Sequence, residues 1–405
     1  MSIPPQRNQA YDEKGLPISK KLDIIIIIVV IMEFWVVALL LLGTLLVDVS
    51  SAYQQVVRAG AADPSIVYAH GWYHMTYTTA TDIEMVRSRT LKGLLVGKVR
   101  PVYTEFNLTA GREANIWAPE IHQIDQVWYI FYSSGNGSED CETSCRPRVL
   151  EGCEAPTPFY CSYRWRADLV PPAGYQGGSD GRDPFGIDAS FLEIPGRGRY
   201  VLLSGKNQRS VQSIQIGPLN TTSWNVTSWH VISEPDQPWE KNVSNSRPRE
   251  LWIGGIAINE GPHPLYHDGQ IWITYSGSHC QTPNYGLGLL RYNGGDPLQR
   301  SSWIKSPKPV LFQANGNYGT GHNCFFNSPD GKETWIAYHA TLQKHGACDG
   351  SRFTIAQPIR FVGNNTPTFE IPPNLDTYQD PPSGENFTSQ AMEEGEMPFD
   401  GLTWM

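Results

Sequence analysis

The sequence predicts an all-β fold, a five-bladed β-propeller, preceded by a single transmembrane helix. Three observations predict it. Short β-rich runs recur after residue 60 with no long helical period among them. A polar unit returns five times at blade-like spacing. One long apolar run stands near the N-terminus. The division expected from these is a cytoplasmic tail at 1–21, a signal-anchor helix at 22–47, a short stalk at 48–60, the propeller at 61–376, and an acidic, Pro-containing tail at 377–405, extended or disordered.

The apolar run comes first. Ile24 to Val47 is interrupted only by Glu33, Gly43 and Thr44. Its length of ~36 Å at about 1.5 Å per residue exceeds a hydrocarbon core of about 30 Å. Its Ile, Val, Leu and Phe side chains, at roughly −0.3 to −0.6 kcal/mol each, outweigh the penalty of about 3 kcal/mol for Glu33. The run is too long for a cleaved signal's apolar region, although small residues at Ser50–Ala52 allow cleavage and secretion. Arg7, Lys14, Lys20 and Lys21 precede it. The positive-inside rule then gives a single-pass type II topology, with the bulk of the chain extracellular or lumenal.

Sequons and cysteines agree with that orientation. Asn107, Asn136, Asn220, Asn225, Asn242, Asn364 and Asn386 each open an N-x-S/T sequon beyond the run. All seven cysteines also lie beyond it. Four of them, Cys141, Cys145, Cys153 and Cys161, are grouped, which predicts one or two disulfides in a surface insertion. The odd total leaves at least one thiol free or paired between chains. The formal charge of −9 and pI near 5.6 argue against a nucleic-acid binder, which would carry a basic face.

The strands follow. Ser65–Tyr68, Trp72–Thr78, Val127–Ser133, Tyr200–Ser204, Ile271–Ser276 and Thr334–His339 are β-rich runs punctuated by turns such as Asp268-Gly269. The repeated unit sets the architecture. Ala62-Asp63-Pro64, Trp117-Ala118-Pro119-Glu120, Gly186-Ile187-Asp188-Ala189-Ser190, Asn259-Glu260-Gly261-Pro262 and Gly319-Thr320-Gly321-His322 each put a polar residue in a tight setting before a strand. Units of roughly 65 residues fit four-stranded blades, whose first strands face a shared channel. Five polar side chains then converge at one mouth.

Three of the five are acids. Carboxylates at apolar, Gly- and Pro-flanked positions are costly unless paired or solvated. A set of this kind suits glycoside hydrolysis. One carboxylic acid protonates the leaving oxygen and a second carboxylate activates water or attacks the sugar. A third can raise the acid's pKa by like-charge repulsion. The chemistry requires no cofactor. Trp117, beside the mouth, is the candidate platform for stacking a sugar ring.

The ordered motifs carry a resemblance. Ala-Asp-Pro-Ser-Ile-Val from residue 62, Ile-Trp-Ala-Pro-Glu (116–120), Gly-Ile-Asp-Ala-Ser-Phe (186–191), Asn-Glu-Gly-Pro (259–262), Gly-His-Asn (321–323) and Tyr-His-Ala (338–340) together resemble glycoside hydrolase family 43 over roughly residues 60–375. The resemblance implies a five-bladed propeller and inverting cleavage. It implies Asp63 as general base, Glu260 as general acid, and Asp188 as the modulator that raises and orients Glu260. His322 matches a channel histidine that in many members helps hold calcium or a water cluster, so either a structural Ca2+ near His322 or a structural channel hydrogen bond from it is expected. Glu120, Trp117 and Arg352 are the expected substrate contacts, and Gln357 could also reach the sugar.

Thr-Tyr-Ser-Gly-Ser (274–278) and Tyr-Gly-Leu-Gly-Leu-Leu (285–290) resemble the family's exo-acting α-L-arabinofuranosidases. The implied substrate is arabinan or an arabinose-bearing polysaccharide. A β-xylosidase, an endo-arabinanase and a non-catalytic glycan-binding propeller are the alternatives. Arg182-Asp183-Pro184 resembles a motif of retaining, fructose-releasing relatives, but their other signatures are missing, so Asp183 reads as a loop residue.

Overall fold

The structure, a computed structural model, describes residues 53–171, 185–241, 257–363 and 365–385. The predicted anchor with Glu33 lies outside the described residues, as do Asp183 and the sequons at 242, 364 and 386. Among the described residues, no helix is long and apolar enough to cross a membrane.

Five antiparallel sheets form the blades. The first blade runs Ala62–Ala69, Trp72–Thr78, Ile83–Ser88, Lys98–Tyr103. The second runs Ala114–Ile124, Val127–Gly135, Arg146–Glu154, Arg164–Asp168. The third runs Gly186–Ile194, Gly198–Lys206, Gln212–Asn220, with Asn225–Val226 and His230–Ser233 both pairing on its third strand. The fourth runs Asn259–His267, Gln270–Gly277, Gly286–Tyr292, Trp303–Lys305. The fifth has three strands in sequence, Tyr318–Asn327, Thr334–Thr341 and Phe353–Pro358, and takes its outermost strand, Val56–Ala59, from the other end of the fold. The first strands touch one another in order and close a ring, with the fifth against the first. Every predicted strand run falls inside one of these strands.

The alternation expected of half-buried strands is suppressed here, because each blade is packed on both faces. Five apolar clusters fill the five interfaces between blades. One joins Ile66, Tyr73 and Met75 of the first blade to Phe326 and Trp335 of the fifth. The others lie between the first and second, second and third, third and fourth, and fourth and fifth blades.

One expectation at the chain ends needs correction. Residues 53–59 are not a stalk. Val56–Ala59 pairs with the third strand of the last blade and covers what would otherwise be an open edge. The C-terminal tail is also tied down at its start. Tyr378–Gln379 pairs with Tyr53–Gln54, and Glu385 Oε1 accepts the Leu91 amide at 2.9 Å.

The cysteine expectation holds for the insertion, where Cys141–Cys145 and Cys153–Cys161 are bonded. A third bridge, Cys280–Cys348, joins residues far apart in sequence. Cys324 is the free thiol. It is not available to a second chain, being buried in the cluster between the last and first blades, where burial pushes its pKa up to about 12. The four described sequon asparagines all reach the surface, Asn107 and Asn220 fully and Asn136 and Asn225 in part.

Candidate active site

Each of the five repeated units lies on a first strand, and each contains a break in the ladder. Pairing registers shift between Ala62 and Ser65, between Trp117 and Glu120, between Ile187 and Ser190, between Glu260 and His263, and between Gly321 and Cys324. A bulge of this kind re-aims side chains and bends the strand. The backbone at the breaks is left-handed. Asp63 has φ 54°, Asp188 58° and His322 48°, while Glu260 is followed by Gly261 at 56°. Such conformations cost about 1–3 kcal/mol at a non-Gly residue and persist where surrounding structure enforces them. Gly261 is required twice over, because a Cβ there would stand 3.0 Å from the His322 ring.

The breaks bring Asp63, Asp188, Glu260 and His322 to the wall of one cavity of about 450 Å³, which Trp117 and Arg352 also line. Six of the eight residues expected at the site, all but Glu120 and Gln357, therefore converge. Asp63 is nearly enclosed. Its Oδ2 accepts Thr78 Oγ1 at 2.7 Å, and its Oδ1 lies 3.2 Å from Arg352 Nη1 and 3.3 Å from His322 Nδ1. Its backbone amide donates to His339 Nδ1 at 3.2 Å. Burial pushes the Asp63 carboxyl up, but Arg352, then His322 and His339, outweigh it and hold it well below the usual range. Burial and Arg352 in turn hold His339 down to about 4, so its ring is neutral.

The other two carboxyls go the opposite way. Burial, partly offset by a hydrogen bond from Tyr285 and reinforced by the Asp63 charge, lifts Glu260 to about 7. Gln212 Nε2 also donates to its Oε2 at 3.0 Å. Burial and then the charges of Glu260 and Asp63 raise Asp188 well above its ordinary value. Asp188 Oδ2 accepts the amide of Gly261 at 2.9 Å, so it grips the backbone next to Glu260. The Asn of the Asn-Glu-Gly-Pro unit has a positioning part. Asn259 accepts Ser233 Oγ at 2.8 Å and donates to the fully buried Glu240, which pairs with Lys305 at 2.6 Å. One ionised carboxylate beside two carboxyls of raised pKa is an acid–base arrangement.

The family profile of "Glycosyl hydrolases family 43" matches residues 53–367. The chain belongs to that family. Among curated relatives, an "Extracellular exo-alpha-(1->5)-L-arabinofuranosidase" of Streptomyces avermitilis is 31% identical over 77% of this chain and 62% of its own length. An enzyme of the same name from Streptomyces chartreusis is 29% identical over 72% of this chain and 83% of its own. The chain thus matches less than two thirds of the first of these relatives. Among solved structures, an alpha-L-arabinofuranosidase from Lactobacillus brevis superposes with a TM-score of 0.68 and 26% identity, over 80% of this chain and 98% of its own.

Two predicted contacts of this family-43 chain are placed away from the cavity. Glu120 is buried in the channel and does not line the cavity. Its Oε2 accepts Ser190 Oγ at 2.6 Å and His122 Nε2 at 2.9 Å, and its Oε1 faces His263 Nδ1 at 3.3 Å. Despite burial, His263 and His122 hold it down to about 2. Ser190 is two residues beyond Asp188, and His263 three beyond Glu260, so Glu120 cross-ties the strands that carry both. Glu120→Ala is expected to cost roughly 1.5–3 kcal/mol for each charge-assisted bond lost, read as a lower urea midpoint at unchanged m-value. Gln357 is also remote. Its amide is buried between Tyr338 Oη at 3.0 Å and the carbonyl of Glu370 at 2.8 Å.

The donor set around His322 does not fit a calcium ion held directly by side chains. Calcium takes six to eight oxygens. His322 offers an imidazole already facing Asp63, and the Glu120 carboxylate is already engaged by Ser190, His122 and His263. Among the described residues the one group of metal-ligating type is His279, Cys280 and Cys348, whose two sulfurs are bonded to each other.

Sequence reasoning missed four participants: Thr78, Gln212, Tyr285 and His339. Tyr285 and His339 stand inside quoted motifs, and their rings stack at 5.5 Å. Thr78 and Gln212 carry no sequence signal, because they reach the site from the second strand of the first blade and the third strand of the third.

Proposed function

We propose that this chain is an inverting glycoside hydrolase that releases terminal α-L-arabinofuranosyl residues from arabinan or arabinose-bearing polysaccharide. The observation that carries the reading is the split of three convergent carboxyls, one held down chiefly by Arg352 and two lifted by burial and by the charge of neighbouring carboxylates. The names of the relatives favour arabinofuranose over xylose as the sugar.

In this reading the Asp63 carboxylate takes a proton from water as the water attacks the anomeric carbon. Glu260, protonated, gives its proton to the departing glycosidic oxygen. Asp188 shares the field of Glu260 and fixes the backbone behind it, so the two titrate as a pair. Trp117 offers a face to the sugar ring. Inversion leaves the base and acid on opposite sides of the bond. Proton NMR of the reaction on arabino-oligosaccharides tests this directly. Early signal from β-arabinofuranose is expected. Early α-product would overturn inversion, and an inert protein would favour glycan binding alone.

The pH profile follows from the same shifts. Activity needs Asp63 charged, which holds above its depressed pKa, and Glu260 protonated, which holds below about 7. The kcat/KM profile is therefore expected to be flat through weak acid and to fall as pH rises through about 7. The modulating role requires Asp188 to be charged beside Glu260, in which case Asp188→Asn should move that basic limb to lower pH. An unmoved limb would remove Asp188 from the modulating role.

We place the working site outside the cytoplasm. Three disulfides support this, since they persist in oxidising compartments. The apolar run at 22–47 would hold the propeller at a membrane, and resistance of the full chain to alkaline carbonate extraction tests it.

A further inference from the structure

We propose that the Cys280–Cys348 disulfide forms one wall of the sugar-binding cavity and positions the loop that carries Arg352. The inference deepens, and rests on, the glycosidase reading of this cavity. Cys280 lies just beyond the second strand of the fourth blade, and Cys348 lies in the loop between Thr341 and Phe353 of the fifth. The bridge spans 68 residues of sequence and 5.3 Å between Cα atoms. Both cysteines line the same cavity as the three carboxyls, together with Asp349, Gly350 and Arg352.

The loop needs an outside anchor. Its own hydrogen bonds run from Gln343 to Ser351, from Ser351 to Asp349, and from Arg352 Nε to the Asp349 carbonyl. These shape the loop without fixing it to the fourth blade. Two features supply that fixing. One is the bridge. The other is a backbone contact at Gly346, where φ is +82° and a Cβ would stand 2.5 Å from the Thr282 backbone. From this anchored loop, Arg352 reaches Asp63 Oδ1 at 3.2 Å. The bridge thus joins the fourth blade, which carries Glu260, to the loop that governs Asp63.

The wall also has a chemistry. A disulfide offers no strong donor, and its soft, polarizable sulfurs suit an apolar surface. It complements the C–H face of a terminal pentofuranosyl ring, whose hydroxyls the carboxyls and Arg352 can meet. Loss of an apolar pocket contact weakens recognition by about tenfold or more. Release of the loop would also move Arg352 from Asp63 and let the carboxyl's pKa rise.

Two measurements on the full chain test this. In the first, native protein is reduced with a water-soluble phosphine, which takes oxygen from water as each bridge becomes two thiols. The rate at each bridge is followed by alkylation and peptide mass, with and without saturating arabino-oligosaccharide under conditions where turnover is exhausted slowly. Sugar is expected to slow reduction of Cys280–Cys348 several-fold and to leave Cys153–Cys161 unchanged. Equal rates with and without sugar would overturn the wall. This readout needs binding and not turnover, so an inactive but protected protein would sink the glycosidase reading alone.

In the second, Cys280→Ser/Cys348→Ser, checked for folding by circular dichroism, should raise KM about tenfold with a smaller change in kcat. Its acidic limb should move to higher pH. A folded double variant with unaltered KM and limb would overturn the positioning role. If the variant does not fold, the protection experiment decides.

Discussion

Glu260→Gln should lose natural arabinan hydrolysis by about 10²–10⁴-fold and yet keep much of its rate on aryl arabinofuranosides with acidic phenol leaving groups. The reason is the fate of the departing oxygen. An alkoxide cannot leave without a proton, whereas a nitrophenolate can. Glutamine keeps the shape of Glu260 and can still meet Tyr285 and Gln212, so the cavity stays intact. The decisive measurement is a plot of log kcat against leaving-group pKa. A much steeper dependence in the variant than in the parent is expected. Parallel lines would assign the acid to another residue, with Asp188 the next to examine.

Asp63→Asn should behave differently. Loss of the base lowers turnover by about 10²–10⁴-fold on every substrate, good leaving group or not, because water must still be activated. The substitution also removes the charge that faces Arg352 and His322, leaving the enclosed guanidinium without its carboxylate partner. Stability should fall with activity, so the kinetic comparison requires a thermal melt beside it. Asp63→Asn also removes a charge that lifts Glu260. Residual activity should therefore show a basic limb at lower pH than the parent. Near-native turnover in this variant would end the assignment of Asp63 as base.

The contrast between the two variants bears on what the sequence disclosed. The ring of blades was legible because its repeat is chemical. Asp63, Glu120, Asp188, Glu260 and His322 recur at similar spacing, and each marks a first strand. The strand runs were legible because β-rich segments end at Gly and Asp turns. The depth of each polar residue was not legible. Glu120 and Glu260 look alike in their Pro-flanked units, yet one is bound by Ser190, His122 and His263 and the other faces the cavity. That difference depends on which bulge turns a side chain inward or upward, and bulges leave no mark in hydropathy. Gln357 and His339 show the same limit, since their roles depend on partners in neighbouring strands. The Cys280–Cys348 bridge was hidden for a related reason. It closes between loops of different blades, and separation in sequence says nothing about adjacency around a ring.

The way Val56–Ala59 completes the last blade has a consequence for assembly. Its partner segment begins near Ile355, roughly 300 residues away along the chain, so the contact that seals the ring is among the least local the protein can make. Blades one to four can pair their own strands as the chain emerges, but Val56–Ala59, made before all of them, must wait unpaired for the fifth blade to follow. Until then the circle is a horseshoe with a bare edge. A chain cut to begin at residue 61 would stay in that state, prone to edge-to-edge association. One cut to begin at residue 53 keeps the clasp. With Tyr53–Gln54 paired to Tyr378–Gln379, the two ends of the propeller meet at one seam, so a circular permutant opened in an exposed hairpin of another blade should still fold.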